Sequence, residues 1–168
     1  MSPTATTPTV LRFSVPISPV GKARARVFRN AKTGKSHAVT PQTTVAADEA
    51  IAWAYRGAHP GRTPHVGPVY LSVVAVCSIP KSWPKWQRVA AELGLYPHLT
   101  TPDFDNITKL VADSLCAVAY TEDSHITSGG TAKVYGTRPR IDVVMSLTQT
   151  PTRDSLMEIP SFVEAMRS

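Results

Sequence analysis

The chain has 168 residues, 42% of them hydrophobic, and a formal net charge of +6 at pH 7. This length fits a single domain with its own core, and this composition excludes fibrous and intrinsically disordered proteins. No apolar run approaches the roughly 20 residues that span a bilayer, and the N-terminal residues lack the charged and apolar regions of a secretory signal. We therefore expect a cytoplasmic protein that does not enter membranes.

The first predicted strand, residues 11–17, leads into a basic segment, residues 22–35. All the excess positive charge is N-terminal, because residues 1–47 hold seven basic side chains and no acidic one. Alternating cations share one side of an extended strand and can follow a phosphate backbone. A solvated surface hairpin explains the same charges equally well. The candidate DNA-binding residues are Lys22, Arg24, Arg26, Arg29, Lys32 and Lys35.

A hairpin and a helix are predicted next. Residues 27–39 contain two strand-like stretches around AKTG, which is typical of a β-hairpin. The helix should follow with Thr40 as its N-cap, Pro41 in its first position and Gly57 at its end. The β-branched run at 69–79 then predicts a central strand.

A short helix is predicted over residues 84–93, and a longer one over 105–118. The longer helix carries an apolar stripe at helical spacing on one face. Asn106, Lys109 and Asp113 fall together on a different face. The stripe consists of Ile107, Leu110, Val111, Leu115 and Val118.

The remainder of the chain predicts two more strands and a tail. The runs 126–136 and 140–147 are strand-like and are joined by GTRP, so we expect them to pair as a hairpin on the sheet. The domain prediction is a disordered tail over residues 1–9, one folded domain over 10–148 and a C-terminal tail over 149–168. The fold class predicted is α+β, a single domain with a mixed, mostly antiparallel sheet and helices packed on it.

Three aspartates flank the longer helix and are candidate metal ligands. Asp103 and Asp105 should lie in its first turn, at the positive end of the helix dipole, and Asp123 follows its far end. Like charges brought together repel unless a cation neutralises them, and carboxylate oxygens suit Mg²⁺ or Mn²⁺. Such ions support phosphodiester hydrolysis, and Lys109 would add positive charge at the phosphate.

A structural role explains the same residues without chemistry. Acidic residues are common in the first helical turn because they cap it and complement its dipole. Lys109 and Asp113 are spaced as a surface ion pair. Glu122 and Asp123 are ordinary turn residues in this interpretation. The sequence has no EF-hand spacing, so a calcium sensor is not indicated. It also has no P-loop and no GxSxG motif, so neither a nucleotide-binding loop nor the serine nucleophile of an α/β-hydrolase is indicated, and no small-molecule cofactor is expected.

The run PDFDNITKLVADSL, followed by YTEDSHI, resembles the RusA family of Holliday-junction resolvases, Mg²⁺-dependent endonucleases common in phages and prophages. The pattern of that family is Pro-Asp-x-Asp-Asn-x-x-Lys, a later Asp, and an acidic pair before a strand. The resemblance extends to GKARAR, the helix after it, PKSW and the last two strands, and so covers about residues 10–147. Three positions depart from the pattern: Glu122 replaces an Asp, His125 replaces a frequent Gln, and Cys116-Ala117 replaces a frequent Asn-Gly.

The resemblance implies roles for individual residues. Asp103, Asp105 and Asp123 would be the catalytic carboxylates that bind the metal, and Lys109 would assist at the scissile phosphate. Asn106, Asp113 and Glu122 would be supporting residues, Asn106 by hydrogen bonding to the first turn or to a carboxylate.

The resemblance also implies a homodimer that nicks two opposed strands of a four-way junction symmetrically, in the host bacterial cytoplasm if the protein is phage-encoded. A two-fold substrate is consistent with an isologous dimer. The alternative function is a non-catalytic branched-DNA or RNA-binding protein of the same fold, in which the acidic residues are caps and ion pairs.

Overall fold

The computed structural model describes residues 8–23, 26–29, 34 and 36–167, and for residues 26–29 and 36–39 it describes the backbone alone. The strands within these residues are β1 (Thr9–Val15), β2 (Arg26–Arg29), β3 (Ser36–Val39), β4 (Val69–Ser78), β5 (Ile126–Gly136) and β6 (Arg140–Leu147). The helices are α1 (Gln42–Ala58), α2 (Lys85–Glu92), α3 (Phe104–Leu115), α4 (Arg153–Met157) and α5 (Pro160–Ala165), with a 3₁₀ turn at Asp123–His125.

Four strands form one sheet in the order β1-β6-β4-β5. The β1–β6 and β6–β4 pairs are antiparallel, and the β4–β5 pair is parallel. The predicted class, an α+β fold with a mixed, mostly antiparallel sheet, is therefore confirmed. β2 and β3 pair separately as the predicted antiparallel hairpin.

One face of the sheet is apolar because side chains alternate between the two faces along each strand. Every second residue of β1 from Leu11 and of β6 from Ile141 is buried. α1 and α3 contact each other over this face and contribute fully buried side chains, including Ile51 and Leu110. Burying each such side chain contributes about 1.5–3 kcal/mol, so this core holds α3 firmly on the sheet.

The predicted hairpin of the last two strands is wrong. β4 lies between β5 and β6, and it pairs with both. The GTRP signal predicts a turn, but a turn does not determine which strands pair across it. In the parallel β4–β5 pair, Gly129 lies opposite Leu71, and a Cβ at residue 129 would be 1.9 Å from the Leu71 carbonyl oxygen. Glycine is what permits this close approach.

Several predicted helix boundaries are also corrected. Pro41, not Thr40, is the N-cap of α1, and Gly57 lies inside the last turn of that helix. α3 ends at Leu115 and excludes Val118. Its continuation is blocked because Cys116 is extended and Ala117 has a left-handed backbone with φ of 60°, which an L-residue rarely adopts.

A second group of buried residues lies outside this core. Cys77, Ala91 and Tyr135 form a second, smaller buried cluster near the carboxyl ends of β4 and β5. The predicted C-terminal tail contains α4 and α5. Within the described residues, the structure contains no helix with the length and apolarity needed to cross a bilayer.

Candidate active site

The first turn of α3 presents two of the predicted carboxylates. Asp103 is the N-cap residue and Asp105 lies in the first turn, where the unpaired N–H groups and the helix dipole favour negative charge. The Asn106 amide donates a weak hydrogen bond of 3.5 Å to Asp103 Oδ2. The extended backbone of Asp103 explains the start of the helix here, since its carbonyl accepts from the Ile107 N–H at 3.1 Å.

Asp105 and Asp123 line the same open depression, which has a volume of about 390 Å³. Lys109 and Asp113 also line it, and Ile126 contributes to its apolar side. We call this depression the acidic depression. The fold therefore joins residues from the start, middle and far side of α3 around one concave surface, although Asp123 is 18 residues beyond Asp105 in the chain.

Tyr120 connects α3 to the turn that carries Asp123. Its hydroxyl donates to the Ala112 carbonyl at 2.6 Å. Burial raises the pKa of Tyr120, and the negative charges of Asp113 and Asp123 raise it further. Asp113 and Asp123 both line the acidic depression, so they lie on the same side of α3. The Tyr120 bond thus fixes the turn that presents Asp123 against the helix.

Asp113 binds two lysines. Its Oδ2 accepts from the Lys22 ammonium and lies 3.6 Å from the Lys109 ammonium. The Lys22 side chain is 30% exposed and that of Lys109 is 64% exposed. The Lys22 end of the basic segment is consequently tied to the face of α3 that carries Lys109.

The backbone reinforces this junction. The Lys22 N–H donates to the Asn106 carbonyl at 3.0 Å. A Cβ at Gly21 would lie 2.9 Å from the Asn106 Cβ, so the absence of a side chain at residue 21 allows the loop to approach the helix. The sequence pattern placed Lys22 in a strip of DNA-binding cations, and the structure gives it a carboxylate partner.

Lys133, on β5, is a supporting residue that the sequence analysis missed. Its ammonium donates to the carbonyls of Thr100 and Pro102, at 2.8 and 3.0 Å, immediately before Asp103. Thr131 on the same strand shares a 2.6 Å hydrogen bond with Thr108 of α3. These contacts depend on the packing of β5 beside α3. No local sequence motif marks Lys133 or Thr131.

The remaining predicted residues are distributed as follows. Glu122 precedes the 3₁₀ turn, and its Oε2 accepts from the Ser124 hydroxyl at 3.2 Å. Arg26 and Arg29 are the first and last residues of β2, for which the backbone alone is described. The other predicted DNA-binding residues, Arg24, Lys32 and Lys35, lie outside the described residues.

The donor chemistry of the acidic depression suits a hard divalent cation. Carboxylate oxygens are the ligands Mg²⁺ prefers, and Asp105 and Asp123 both line the depression. Asp103 is not among the lining residues. Across the part of the chain that the structure describes, no three His, Cys, Asp or Glu side chains form a group that could hold a metal ion. Metal binding by the three aspartates stays a prediction.

The structure is an α+β protein with a mixed sheet covered by two helices, and its open depression is lined by three carboxylates and Lys109. Groups of this kind suit phosphodiester chemistry. A sequence model of the family Endodeoxyribonuclease RusA matches residues 16–146. The chain therefore belongs to the RusA endodeoxyribonuclease family, which confirms the resemblance seen in the sequence. This is a family of nucleases, and membership implies an endonuclease that resolves Holliday junctions.

The chain is also similar to a protein of Bacillus subtilis (strain 168) named Uncharacterized protein YqaN. The two are 31% identical over 137 residues, which cover 80% of this chain and 94% of the relative. The similarity thus extends over nearly the whole relative.

Proposed function

We propose that the protein is a Mg²⁺-dependent endodeoxyribonuclease that resolves four-way junctions as a homodimer, making paired symmetric nicks, with Mn²⁺ as a possible substitute. The observation that supports this proposal most strongly is that Asp105, Lys109 and Asp123 line one depression in a chain of the RusA family. Lys22, the first residue of the basic segment, binds Asp113, and the cations of that segment would give this surface an affinity for phosphates.

In this proposal the carboxylates hold the ion. Asp105 and Asp123 would be its ligands in the acidic depression, with Asp103 at the start of α3 as the third. Bound Mg²⁺ would supply a nucleophilic water and stabilise the charge on the reacting oxygens. The substrate phosphate and water would complete its coordination, since Mg²⁺ is commonly held by only one or two carboxylates and retains several waters.

Lys109 would act on the phosphate directly. Its side chain is 64% exposed at the edge of the depression, so its ammonium is free to approach a bound phosphodiester. Positive charge placed where the transition state gains negative charge lowers the barrier. Asp113, 3.6 Å away, would limit the positions that the flexible lysine side chain occupies.

The basic segment would bind the arms of the junction. Contacts from Lys22, Arg24, Arg26 and Arg29, with Lys32 and Lys35 at its far end, would be made to phosphates, and such contacts give largely sequence-independent affinity that falls as salt rises. A homodimer would present two acidic depressions to two opposed strands, which matches the two-fold symmetry of a four-way junction.

One specific observation favours the alternative function, a non-catalytic branched-DNA or RNA-binding protein. Within the described residues no three acidic or other metal-ligating side chains are grouped for a metal. In that alternative Asp105 complements the helix dipole, Asp113 is an ion-pair partner, and the depression binds phosphate without cutting it.

The Asp105→Asn variant tests the role of Asp105 in the proposed nuclease. If the protein is a nuclease, this variant should lose at least 100-fold in the rate of junction cutting with Mg²⁺ while its junction affinity is kept, because the neutral amide is a poorer metal ligand. Asp154→Asn, on the exposed first turn of α4, is the matched control and should cut like the wild type. Equal cutting by the Asp105→Asn variant and the wild type would remove Asp105 from the chemistry.

A further inference from the structure

A second concave site lies at the opposite end of α3 from Asp103. It has a volume of about 450 Å³ and is formed by the last turn of α1, the loop after it and the residues that follow α3. Its polar lining consists of Tyr55, Arg56, His59 and Arg62. None of its described lining residues is acidic. We call it the α1 pocket.

Two buried polar groups lie in the walls of the α1 pocket. His59 Nε2 is inaccessible to solvent and has no hydrogen-bond partner within the described residues. The Tyr55 hydroxyl is equally buried and lacks a partner of ordinary hydrogen-bond geometry within those residues. Burial raises the pKa of Tyr55, and the charge of Arg62 and a weak hydrogen bond between the two side chains oppose this rise. The phenol therefore holds the Arg62 guanidinium at the wall of the pocket.

The walls of the α1 pocket are held in place before any ligand binds. Phe13 and His59 each contact the Tyr55 ring, with centroid distances of 5.7 and 5.3 Å. The loop is bracketed by prolines at 60 and 64. Directly after it, the His65 N–H donates to the Ala119 carbonyl at 2.9 Å. Such preorganisation reduces the entropy lost on binding.

A purely structural explanation accounts for only part of this site. Arg56 lies in the last turn of α1, where a cation complements the helix dipole. That role does not explain Arg62, which follows the helix and lines the same cavity. Two guanidiniums and an imidazole together offer many donors around one cavity, which is the complement of an oxyanion with several acceptor oxygens.

We propose that the α1 pocket is a second phosphate-binding site and that it takes a backbone phosphodiester of nucleic acid. The choice of a phosphodiester rests on the proposed nuclease function, whereas the affinity for phosphate does not. The ends of α3 are about 16 Å apart at ~1.5 Å per residue, or about five nucleotides at ~3.4 Å of duplex axis each. An arm of a junction is longer than this distance.

The test measures phosphate binding to the full chain by NMR titration of backbone amides with inorganic phosphate. We expect the amide signals of residues 56–62 and 117–118 to shift with one shared dissociation constant. Arg62→Ala should raise that constant at least tenfold. Tyr55→Phe removes only the hydroxyl, so it should raise the constant severalfold without lowering the melting temperature. Arg153→Ala, at an exposed position on α4, is the control and should leave it unchanged.

Two further titrations identify the source of the phosphate. Unphosphorylated duplex DNA should shift the same signals, and Arg62→Ala should abolish those shifts; shifts seen only with a 5′-phosphorylated end would overturn the phosphodiester assignment. The site itself is refuted if phosphate affinity is the same in the wild type, Arg62→Ala and Tyr55→Phe. Neither result depends on cutting, so a protein that fails to cleave junctions still gives a clear answer here.

Discussion

The Lys22 ammonium donates to the Asp113 carboxylate across 91 residues of sequence. This bond joins the start of the basic segment to the helix that carries Asp105 and Lys109. The segment predicted to bind DNA is thereby bonded to the helix that carries predicted catalytic residues. The connection places the first cation of that segment beside the acidic depression, which Asp113 also lines.

The Lys22–Asp113 bond should stabilise the fold measurably. Both side chains are less than a third exposed, so we expect a double-mutant cycle of Lys22→Met and Asp113→Asn to give a coupling energy of about 1 kcal/mol. Urea unfolding of the four proteins measures it. The matched cycle of Lys109→Met with Asp113→Asn should give less, because exposed pairs contribute little. Equal couplings would contradict the stronger role assigned to Lys22.

Ala117→Gly should stabilise the protein. Ala117 has a φ of 60°, a conformation that costs an L-residue roughly 1–2 kcal/mol, and glycine adopts it freely at some cost in unfolded-state entropy. We expect a net gain of about 0.5–1 kcal/mol in the free energy of unfolding. Ala46→Gly, at an exposed position in α1, should instead lose about 1 kcal/mol. A loss in both variants would argue against strain at Ala117.

Lys133→Met should reduce cutting more than DNA binding. The substitution removes the donor to the Thr100 and Pro102 carbonyls, so the start of α3 and Asp103 should lose their fixed position. We expect about a tenfold lower rate of junction cutting, since small displacements of catalytic groups cost this much or more, and an unchanged junction affinity. Lys133→Arg should partly restore the rate.

Lys85→Met is the control for Lys133, because Lys85 is an exposed first residue of α2. It should cut at the wild-type rate. A loss of junction affinity in Lys133→Met as large as its loss of cutting would show that Lys133 binds DNA instead of positioning Asp103.

The free energy of unfolding should fall at acidic pH because of His98. Burial, assisted by the charge of Lys133, lowers the pKa of His98 below its ordinary value of 6.5. Between the folded-state pKa of His98 and 6.5, the unfolded chain binds more protons than the folded chain, so the free energy of unfolding rises with pH in this range. Above pH 6.5 the contribution of His98 is fully present, and it is lost as the pH falls through the folded-state pKa. Urea unfolding between about pH 5 and pH 8 should show this slope, and His98→Gln should reduce it. An identical slope in the variant would assign the effect to other groups.

The sequence was sufficient to predict the elements that depend on local patterns. The apolar stripe of Ile107, Leu110 and Leu115 predicted α3, and the β-branched run predicted β4 as a central strand. These signals are strong because the buried face of a helix or strand repeats with a fixed period. The family motif, read from contiguous residues around Asp105, was equally accessible.

The features that the sequence did not predict depend on partners distant in the chain. The pairing of β5 with β4 instead of β6 is set by the assembled sheet, and a turn signal carries no information about it. The contacts of Lys133 follow from that pairing. The Lys22–Asp113 bond was missed for a similar reason, because period-two alternation assigns Lys22 to a strip of cations without indicating what faces them.

The most direct test of the central claim is the cutting of a labelled synthetic four-way junction by the purified wild-type protein. We expect paired nicks at symmetric positions in two opposed strands with Mg²⁺, none after chelation of the metal, and much weaker cutting of a linear duplex. Binding of the junction with no cutting under any of Mg²⁺, Mn²⁺ or Co²⁺ would contradict the nuclease function and support a non-catalytic DNA-binding protein instead.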